Sequence, residues 1–318
     1  MKKAFITGIT GFAGSFLAEY LLAQGDYEVS GTYLSDNSIS NLDSVKDKVK
    51  LYKVDLQNFE DTKKAVSEVL PDEVYHLAAL ASASASFTDP AEFINNNISA
   101  EVNLLEAIRN ANISPRILIV SSAEVYGDVD PSNIPTNETA PLRPVNPYAV
   151  SKVAQDFLGL QYFLTYKLPV VRVRPFNHIG PRQAPNFVVA SFAKKIADIE
   201  KGKMEPVLTV GNLNAKRDFT DVRDMVEAYV KILNKGEAGE VYNIGSGTSV
   251  QISDLLEKLM SFSTKQIQVE PDEKLFRPND APELVCDNTK IQNVTDWAPK
   301  ISLEQTLKET LEYWRGQE

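Results

Sequence analysis

The stretch KAFITGITGFAG, Lys3 to Gly14, passes from a short apolar run through three glycines into residues whose apolar members recur at helical spacing as far as Leu22. That order reads as strand, turn and helix. Gly8, Gly11 and Gly14 give the spacing GxxGxxG. Glycines there let the backbone turn tightly and let a pyrophosphate come close to the helix N-terminus, where unpaired N–H groups and the helix dipole favour negative charge. Such a turn between a first strand and a first helix is the fingerprint of a dinucleotide site.

The first half of the chain repeats the alternation. YEVSGTY (27–33) and VKLYKVDL (49–56) are strands, FEDTKKAVSEVL (59–70) is an amphipathic helix stopped by Pro71, and EVYHLAAL (73–80) is a fourth strand running into the small-residue loop ASASAS. Residues 90–111 form a long helix, RILIVSS (116–122) an almost wholly apolar fifth strand, and LPVVRVRP (168–175) a sixth. Strands apolar on both faces, alternating with helices, predict an α/β fold built on a Rossmann-type doubly wound parallel sheet. Beyond residue 175 prolines and polar turns break the rhythm. The expected division is a dinucleotide-binding domain over 1–174, with 218–245 packing back on it, and a smaller, irregular α+β substrate-binding domain from 175–217 and 246–318.

Composition excludes several classes. A formal charge of −10 over 318 residues, with no cluster of Lys and Arg, argues against a nucleic-acid partner. The single cysteine, Cys286, permits no intrachain disulfide and fits a reducing cytoplasm. His76 and His178, the only histidines, belong to no metal-ligand pattern, so no metal is expected. No apolar run reaches the roughly 18 residues a bilayer span needs, so no membrane partner is expected. The N-terminus enters the glycine turn too early to hold a signal-peptide core.

A second motif carries chemistry. NPYAVSK, Asn146 to Lys152, places Tyr148 and Lys152 one helical turn apart, behind a proline suited to a first turn. An ammonium beside a phenol favours phenolate and should pull the tyrosine pKa below its usual value of about 10.

The end of the second strand bears on which dinucleotide binds. An acidic side chain there would hold the ribose hydroxyls of NAD. The chain instead reads Gly31-Thr32-Tyr33-Leu34-Ser35, and Asp36 comes late. Thr32 and Ser35 could accept a phosphate, which places NADP(H) ahead of NAD(H). Asp55, after the third strand, either meets the adenine amino group or caps a turn.

TGxxGxxG, HLAA (76–79), Asn97 in a long helix, SSAEVYG (121–127) and YxxxK, in this order, resemble the extended short-chain dehydrogenase/reductases. The resemblance implies that Tyr148 is the catalytic acid/base, that Lys152 binds the nicotinamide ribose and tunes the tyrosine, and that Ser122 hydrogen-bonds the reacting oxygen. It also implies that Gly8, Gly11, Phe12, Gly14, Asp55, Leu56, Ala78, Asn97 and Lys152 lie along the cofactor. The arrangement makes chemical sense: hydride reaching a ketone leaves an alkoxide that needs a donor already in place and a proton at once.

RPFNHIGPRQ (174–183), VGNLNAKRDFTDVRD (210–224) and RPNDAPELVCDNTKI (277–291) resemble the nucleotide-sugar-modifying members, in particular the reductases of GDP-4-keto-6-deoxymannose, with the GDP-mannose 4,6-dehydratases as near neighbours. By that resemblance Asn177, Arg182, Arg217 and Arg277 hold the diphosphate and sugar, and residues 186–195 cover the guanine. A GDP-linked sugar is then the small-molecule partner, and the helices at 90–111 and 147–167 pair into a homodimer.

Ser122-Ala123-Glu124 lacks the Thr-Asp-Glu of glucose-type dehydratases, since alanine is no acid. Glu124 is either a catalytic base, as in the mannose-type enzymes, or a carboxylate accepting hydrogen bonds from its loop. The chain therefore reads as a reductase. The alternatives are a dehydratase or 4-epimerase with tightly held cofactor, and more remotely a non-catalytic dinucleotide sensor.

Overall fold

The computed structural model describes residues 1–276 and 281–317. Seven parallel strands form the main sheet: β1 (Lys2–Thr7), β2 (Tyr27–Tyr33), β3 (Val49–Lys53), β4 (Glu73–His76), β5 (Arg116–Val120), β6 (Val170–Pro175) and, from far along the chain, Val241–Ile244. The last of these adds to β6 at the sheet's edge, and the order runs Val241–Ile244, β6, β5, β4, β1, β2, β3. Strand order reverses between β1 and β4, so the crevice beyond their carboxyl ends is where an α/β sheet of this type takes its ligand.

Both faces are covered. Helices α1 (Phe12–Gln24) and Val222–Lys235 pack on one, and α2 (Phe59–Val69), α3 (Pro90–Asn110) and α4 (Pro147–Tyr166) on the other. β6 shows how alternation serves two layers. Val171 and Val173 enter the core beneath the helix Val222–Lys235, while Arg172 and Arg174, on the opposite face, clamp the buried Asp156 of α4 at 2.5 and 2.7 Å. A carboxylate held by two buried guanidiniums fixes α4 to the sheet.

The second region is built from β7 (Asn177–Ile179), α5 (Val188–Glu200), β8 (Val207–Val210), β9 (Lys216–Asp221), the helix α6 (Val222–Lys235) already placed on the main sheet, the edge strand now numbered β10 (Val241–Ile244), β11 (Ser249–Gln251), α7 (Ile252–Ser261), β12 (Gln268–Pro271), β13 (Glu283–Leu284), α8 (Thr289–Thr295) and α9 (Leu303–Gly316). β9 pairs with β7, β11 and β13 in a small mixed sheet, and β8 pairs with β12. A separate core gathers α5, α7 and α9 around Ile196, Leu208, Leu255 and Leu311.

The return to the main sheet begins at α6 rather than at residue 218, because Asp218–Asp221 belong to β9. The carboxyl-terminal stretch is also shared between the two cores. Ile291 of α8 and the wholly buried Trp297 join the core under α6, where the indole N–H donates to the Asp224 carbonyl at 2.9 Å.

Candidate active site

The glycine turn leaves no room for side chains. Gly8 has φ of +70°, and a Cβ on it would meet Ala78 Cα at 3.1 Å. A Cβ on Gly14 would lie 2.2 Å from the Gly8 carbonyl oxygen, so α1 can begin this close to the turn only with glycine there. The start of α1 has no side-chain cap and no acidic residue in its first turn. Elsewhere Asn58, Asp89, Asn146, Asp221 and Ser302 cap α2, α3, α4, α6 and α9. The first-turn N–H groups of α1 thus suit an anion, and the tight backbone suits a pyrophosphate.

A cavity of about 410 Å³ opens over this turn, lined by Gly8, Gly11, Phe12 and Gly14 together with Ser122, Glu124, Tyr148, Lys152 and Asn177. Residues more than a hundred positions apart in the chain meet here because β1, β5 and β6 all end at the same edge of the sheet. Asn146 starts α4, its Oδ1 accepting the Ala149 N–H at 2.7 Å, and Pro147 fills the first turn. One turn apart on α4, Tyr148 and Lys152 both face the cavity.

The electrostatics correct one expectation. Lys152 Nζ donates to the Val120 carbonyl at 2.9 Å and lies 6.0 Å from the Tyr148 ring centroid. Burial pushes the Tyr148 phenol up to about 12; the Ser122 hydroxyl pulls it back and the Glu124 charge pushes it further. Lys152 does not lower it. Burial acts on the lysine as well, bringing its ammonium down to about 8 against the opposing pull of Glu101. Tyr148 is therefore a neutral phenol through the neutral range.

Ser122 lies two residues beyond β5 and its Oγ accepts the Glu124 N–H at 3.1 Å. Glu124 Oε2 accepts from Asn146 Nδ2 at 2.9 Å, so one asparagine both caps α4 and holds the glutamate. Asn146 was marked in the sequence only by its place before Pro147.

Phe12 lines the cavity and stacks on His178, with ring centroids 5.8 Å apart and planes 4° from parallel. Asn177 lines it too, with Nδ2 3.4 Å from the Asp218 carbonyl. Other expected residues lie elsewhere. Asp55 accepts the Gln57 N–H at 2.9 Å as a turn cap, and Leu56 is buried with its carbonyl held by Asn103 Nδ2 at 2.8 Å. Ala78 borders Gly8 and donates its N–H to Thr7 Oγ1 at 3.2 Å. Asn97 is wholly buried: it accepts the Leu80 N–H at 2.8 Å and donates to Ser151 Oγ at 2.9 Å. It braces the loop after β4 against α4 rather than lining the cleft, so its expected contact with cofactor gives way to a supporting one.

Arg182 departs furthest from expectation. Its two terminal nitrogens grip Glu19 at 2.9 and 2.8 Å, one also donates to the Asn41 carbonyl at 2.7 Å, and the guanidinium lies 3.7 Å from the Phe16 ring centre. Those contacts tie it to α1, away from the cleft. Arg217 donates to the Lys216 and Ala281 carbonyls at 2.8 Å and stands outside the cavity wall. Arg277 lies outside the described residues.

From the segment expected to cover a guanine, Asn186, Phe187, Val188 and Val189 line the cavity. Sequence reasoning did not single out Phe176, Gln183, Phe219, Tyr229 and Leu284, which also line it. Gln183 donates to the His178 carbonyl at 2.9 Å and leaves its buried Oε1 without a partner. Ordinary core residue types carry no local signal of a cleft, and Tyr229 arrives only because α6 returns to the sheet.

Comparison with known proteins gives the family of the chain. The family model for GDP-mannose 4,6 dehydratase matches residues 5–310. The chain is 34% identical over 315 residues to GDP-6-deoxy-D-mannose reductase of Pseudomonas aeruginosa, covering 99% of this chain and 98% of that one. It is 31% identical over 325 residues to GDP-mannose 4,6 dehydratase 1 of Arabidopsis thaliana, covering 96% and 88%. The structure of RMD from Pseudomonas aeruginosa complexed with NADPH superposes with a TM-score of 0.86 at 33% identity over 99% of both chains. The chain belongs to the GDP-mannose 4,6 dehydratase family of short-chain dehydrogenase/reductase-like nucleotide-sugar enzymes.

Proposed function

We propose that the protein reduces the C4 keto group of a GDP-4-keto-6-deoxyhexose to the GDP-6-deoxyhexose, with NADP(H) preferred over NAD(H). The observation that carries the reading is the single cavity shared by the glycine turn, Ser122, Tyr148 and Lys152. A bound nicotinamide would supply the hydride. The glycine turn and the first turn of α1 would hold the dinucleotide's pyrophosphate. Ser122 Oγ would orient the ketone oxygen, and the neutral Tyr148 phenol would give it a proton as negative charge develops. Lys152, anchored by the Val120 carbonyl, would place its charge beside the ribose. Asn177 and the unpartnered Gln183 Oε1 are placed to meet sugar hydroxyls.

The preference for NADP(H) rests on the absence of an acidic residue at the end of β2 and on the NADPH bound by the Pseudomonas aeruginosa relative. Asp36 is turned to Lys53 at 2.6 Å, which draws its carboxylate from the ribose side.

Glu124 at the cavity wall favours a second reading, a GDP-mannose 4,6-dehydratase in which that carboxylate removes a proton from the oxidised sugar. One assay separates the two. Given NADPH and GDP-4-keto-6-deoxymannose, a reductase consumes NADPH stoichiometrically. Given GDP-mannose alone, a dehydratase forms a ketosugar with no net consumption. Absence of NADPH oxidation with the ketosugar refutes the reductase.

We further propose a homodimer through α3 and α4. Val150, Phe157, Leu164 and Tyr166 of α4 are each more than two-fifths exposed, apolar surface a monomer gains nothing by showing to water. Size-exclusion chromatography with light scattering checks it; a monomeric mass contradicts it. No described helix is long and apolar enough to cross a membrane, and the substrate class fits the cytoplasm.

A further inference from the structure

Asn146 joins the loop after β5 to the start of α4, and nothing in the chemistry above uses it. A residue before proline is confined to extended backbone, and its φ of −145° and ψ of 158° are also those of a helix N-cap. Three hydrogen bonds then leave it little freedom. Its carbonyl accepts the Val150 N–H at 3.1 Å and its Oδ1 the Ala149 N–H at 2.7 Å, while its Nδ2 donates to Glu124 Oε2 at 2.9 Å. The amide cannot be turned over, because a backbone N–H requires the oxygen on one side and a carboxylate requires the N–H on the other. Asn146 is buried, so water competes little for either bond.

Glu124 is fixed from its own side as well. It lies in the 3₁₀ turn Ala123–Val125, where its N–H donates to Ser122 Oγ and its carbonyl accepts the Gly127 N–H, both at 3.1 Å. Its side chain lines the cavity beside Ser122 and Tyr148. With a ketone oxygen on Ser122 and Tyr148, that is where a base would stand to take a proton from the neighbouring carbon. A carboxylate that accepts an N–H is a weaker base, and here the N–H comes from a residue outside the cavity wall.

We propose that Asn146 is a positioning residue that sets which reaction the cleft runs: by holding Glu124 Oε2 it keeps the glutamate from acting as a base and leaves the ketone to the hydride and Tyr148. The inference rests on the ketosugar reading of the cleft and deepens it. The step held back is a proton transfer. Glu124 would take the proton from the carbon beside C4, and the C–H electron pair would form a carbon–carbon double bond as the C4 oxygen becomes an enolate facing Ser122 and Tyr148. The reverse returns a proton to that carbon, or a deuteron in heavy water.

The test is hydrogen exchange. GDP-4-keto-6-deoxymannose is incubated with the protein and oxidised NADP in heavy water, where no hydride is available. Loss of the proton signal beside the ketone is followed by NMR against the sugar alone, and NADPH oxidation by the same preparation gives the rate of reduction. The parent should exchange slowly compared with its reduction. Asn146→Ser keeps an oxygen to cap α4 and deletes the donor. Its ratio of exchange to reduction should rise by about 10–100-fold, the usual worth of a hydrogen bond to a charged acceptor. Adding Glu124→Gln should return the ratio to that of the parent, which a merely structural asparagine would not do. Asn146→Thr, which also caps, takes the place of Asn146→Ser if that chain does not fold. An unchanged ratio, or a raised one that survives Glu124→Gln, overturns the proposal, and so does a parent that exchanges as fast as it reduces. A parent that oxidises no NADPH with this sugar sinks the reading of the cleft, and the inference with it.

Discussion

The two halves of the cleft are built by different means. On the dinucleotide side, functional groups sit at or just beyond the ends of regular elements: the glycines where β1 becomes α1, Ser122 just after β5, Tyr148 and Lys152 on the first turns of α4. On the sugar side, the wall comes from the β7–β9 pair, the start of α5, Tyr229 of the returning α6 and Leu284 of β13. Local chemistry fixes the first set, because a positive φ, a proline in a first turn and a one-turn spacing each have a sequence signature. Tertiary packing alone fixes the second. A fold of this kind can keep its redox machinery while its substrate wall is rebuilt.

The sharpest break of that comparison is at Tyr148. Tyr148→Phe should lower kcat by about 10²–10⁴-fold, the usual worth of a placed proton donor, while leaving NADPH affinity near that of the parent; a fall in affinity equal to the fall in kcat would mean the phenol serves binding. Ser122→Ala comes next, at about 10²–10³-fold in kcat for a lost donor to the developing oxyanion, measured in the same steady-state assay.

Gly14→Ala tests the turn itself. With its Cβ 2.2 Å from the Gly8 oxygen, the clash should cost about 1–3 kcal/mol, read as weaker NADPH binding in titrations, with a lowered melting temperature if the helix start shifts. Normal binding and melting would show that the turn has slack.

Arg182 gives a smaller effect with a clear direction. Since its guanidinium is engaged by Glu19, Asn41 and Phe16, Arg182→Ala should lower stability by about 1 kcal/mol and leave KM for the nucleotide sugar unchanged. A raised KM would return this arginine to the substrate side.

The last prediction concerns the second core. Arg315 holds the Glu200 carboxyl down to about 2, with the Thr264 N–H assisting. Its folded value lies below the unfolded one of about 4.5, so the stability it contributes is full above pH 4.5 and is lost as pH falls towards 2. Arg315→Met should flatten that part of the stability profile, followed by thermal melts between pH 3 and 6. An unchanged slope contradicts the pairing.

Sequence patterns carried the sheet, its helices and the Ser122–Tyr148–Lys152 set, because short apolar strands alternate with helices and each motif is local. They located Asn97 but not its task, since only the fold shows that Leu80, Ser151 and Asn96 engage its amide. They placed Arg182 by motif in the sugar site, where Glu19, 163 positions away, decides otherwise. The direction of the Tyr148 shift was also misread: spacing shows that Lys152 is near, but not that burial outweighs it. Gln183 closes the motif RPFNHIGPRQ without being singled out, and Tyr229 had no pattern to find.

The central claim is that one cleft brings a hydride donor and the Tyr148 proton to the same carbonyl. NADPH carrying deuterium at its transferable position, incubated with the protein and GDP-4-keto-6-deoxymannose, tests it directly by NMR of the sugar. Deuterium at C4 of a GDP-6-deoxyhexose is the predicted result. A sugar product without label, or turnover of GDP-mannose in place of the ketosugar, would contradict it.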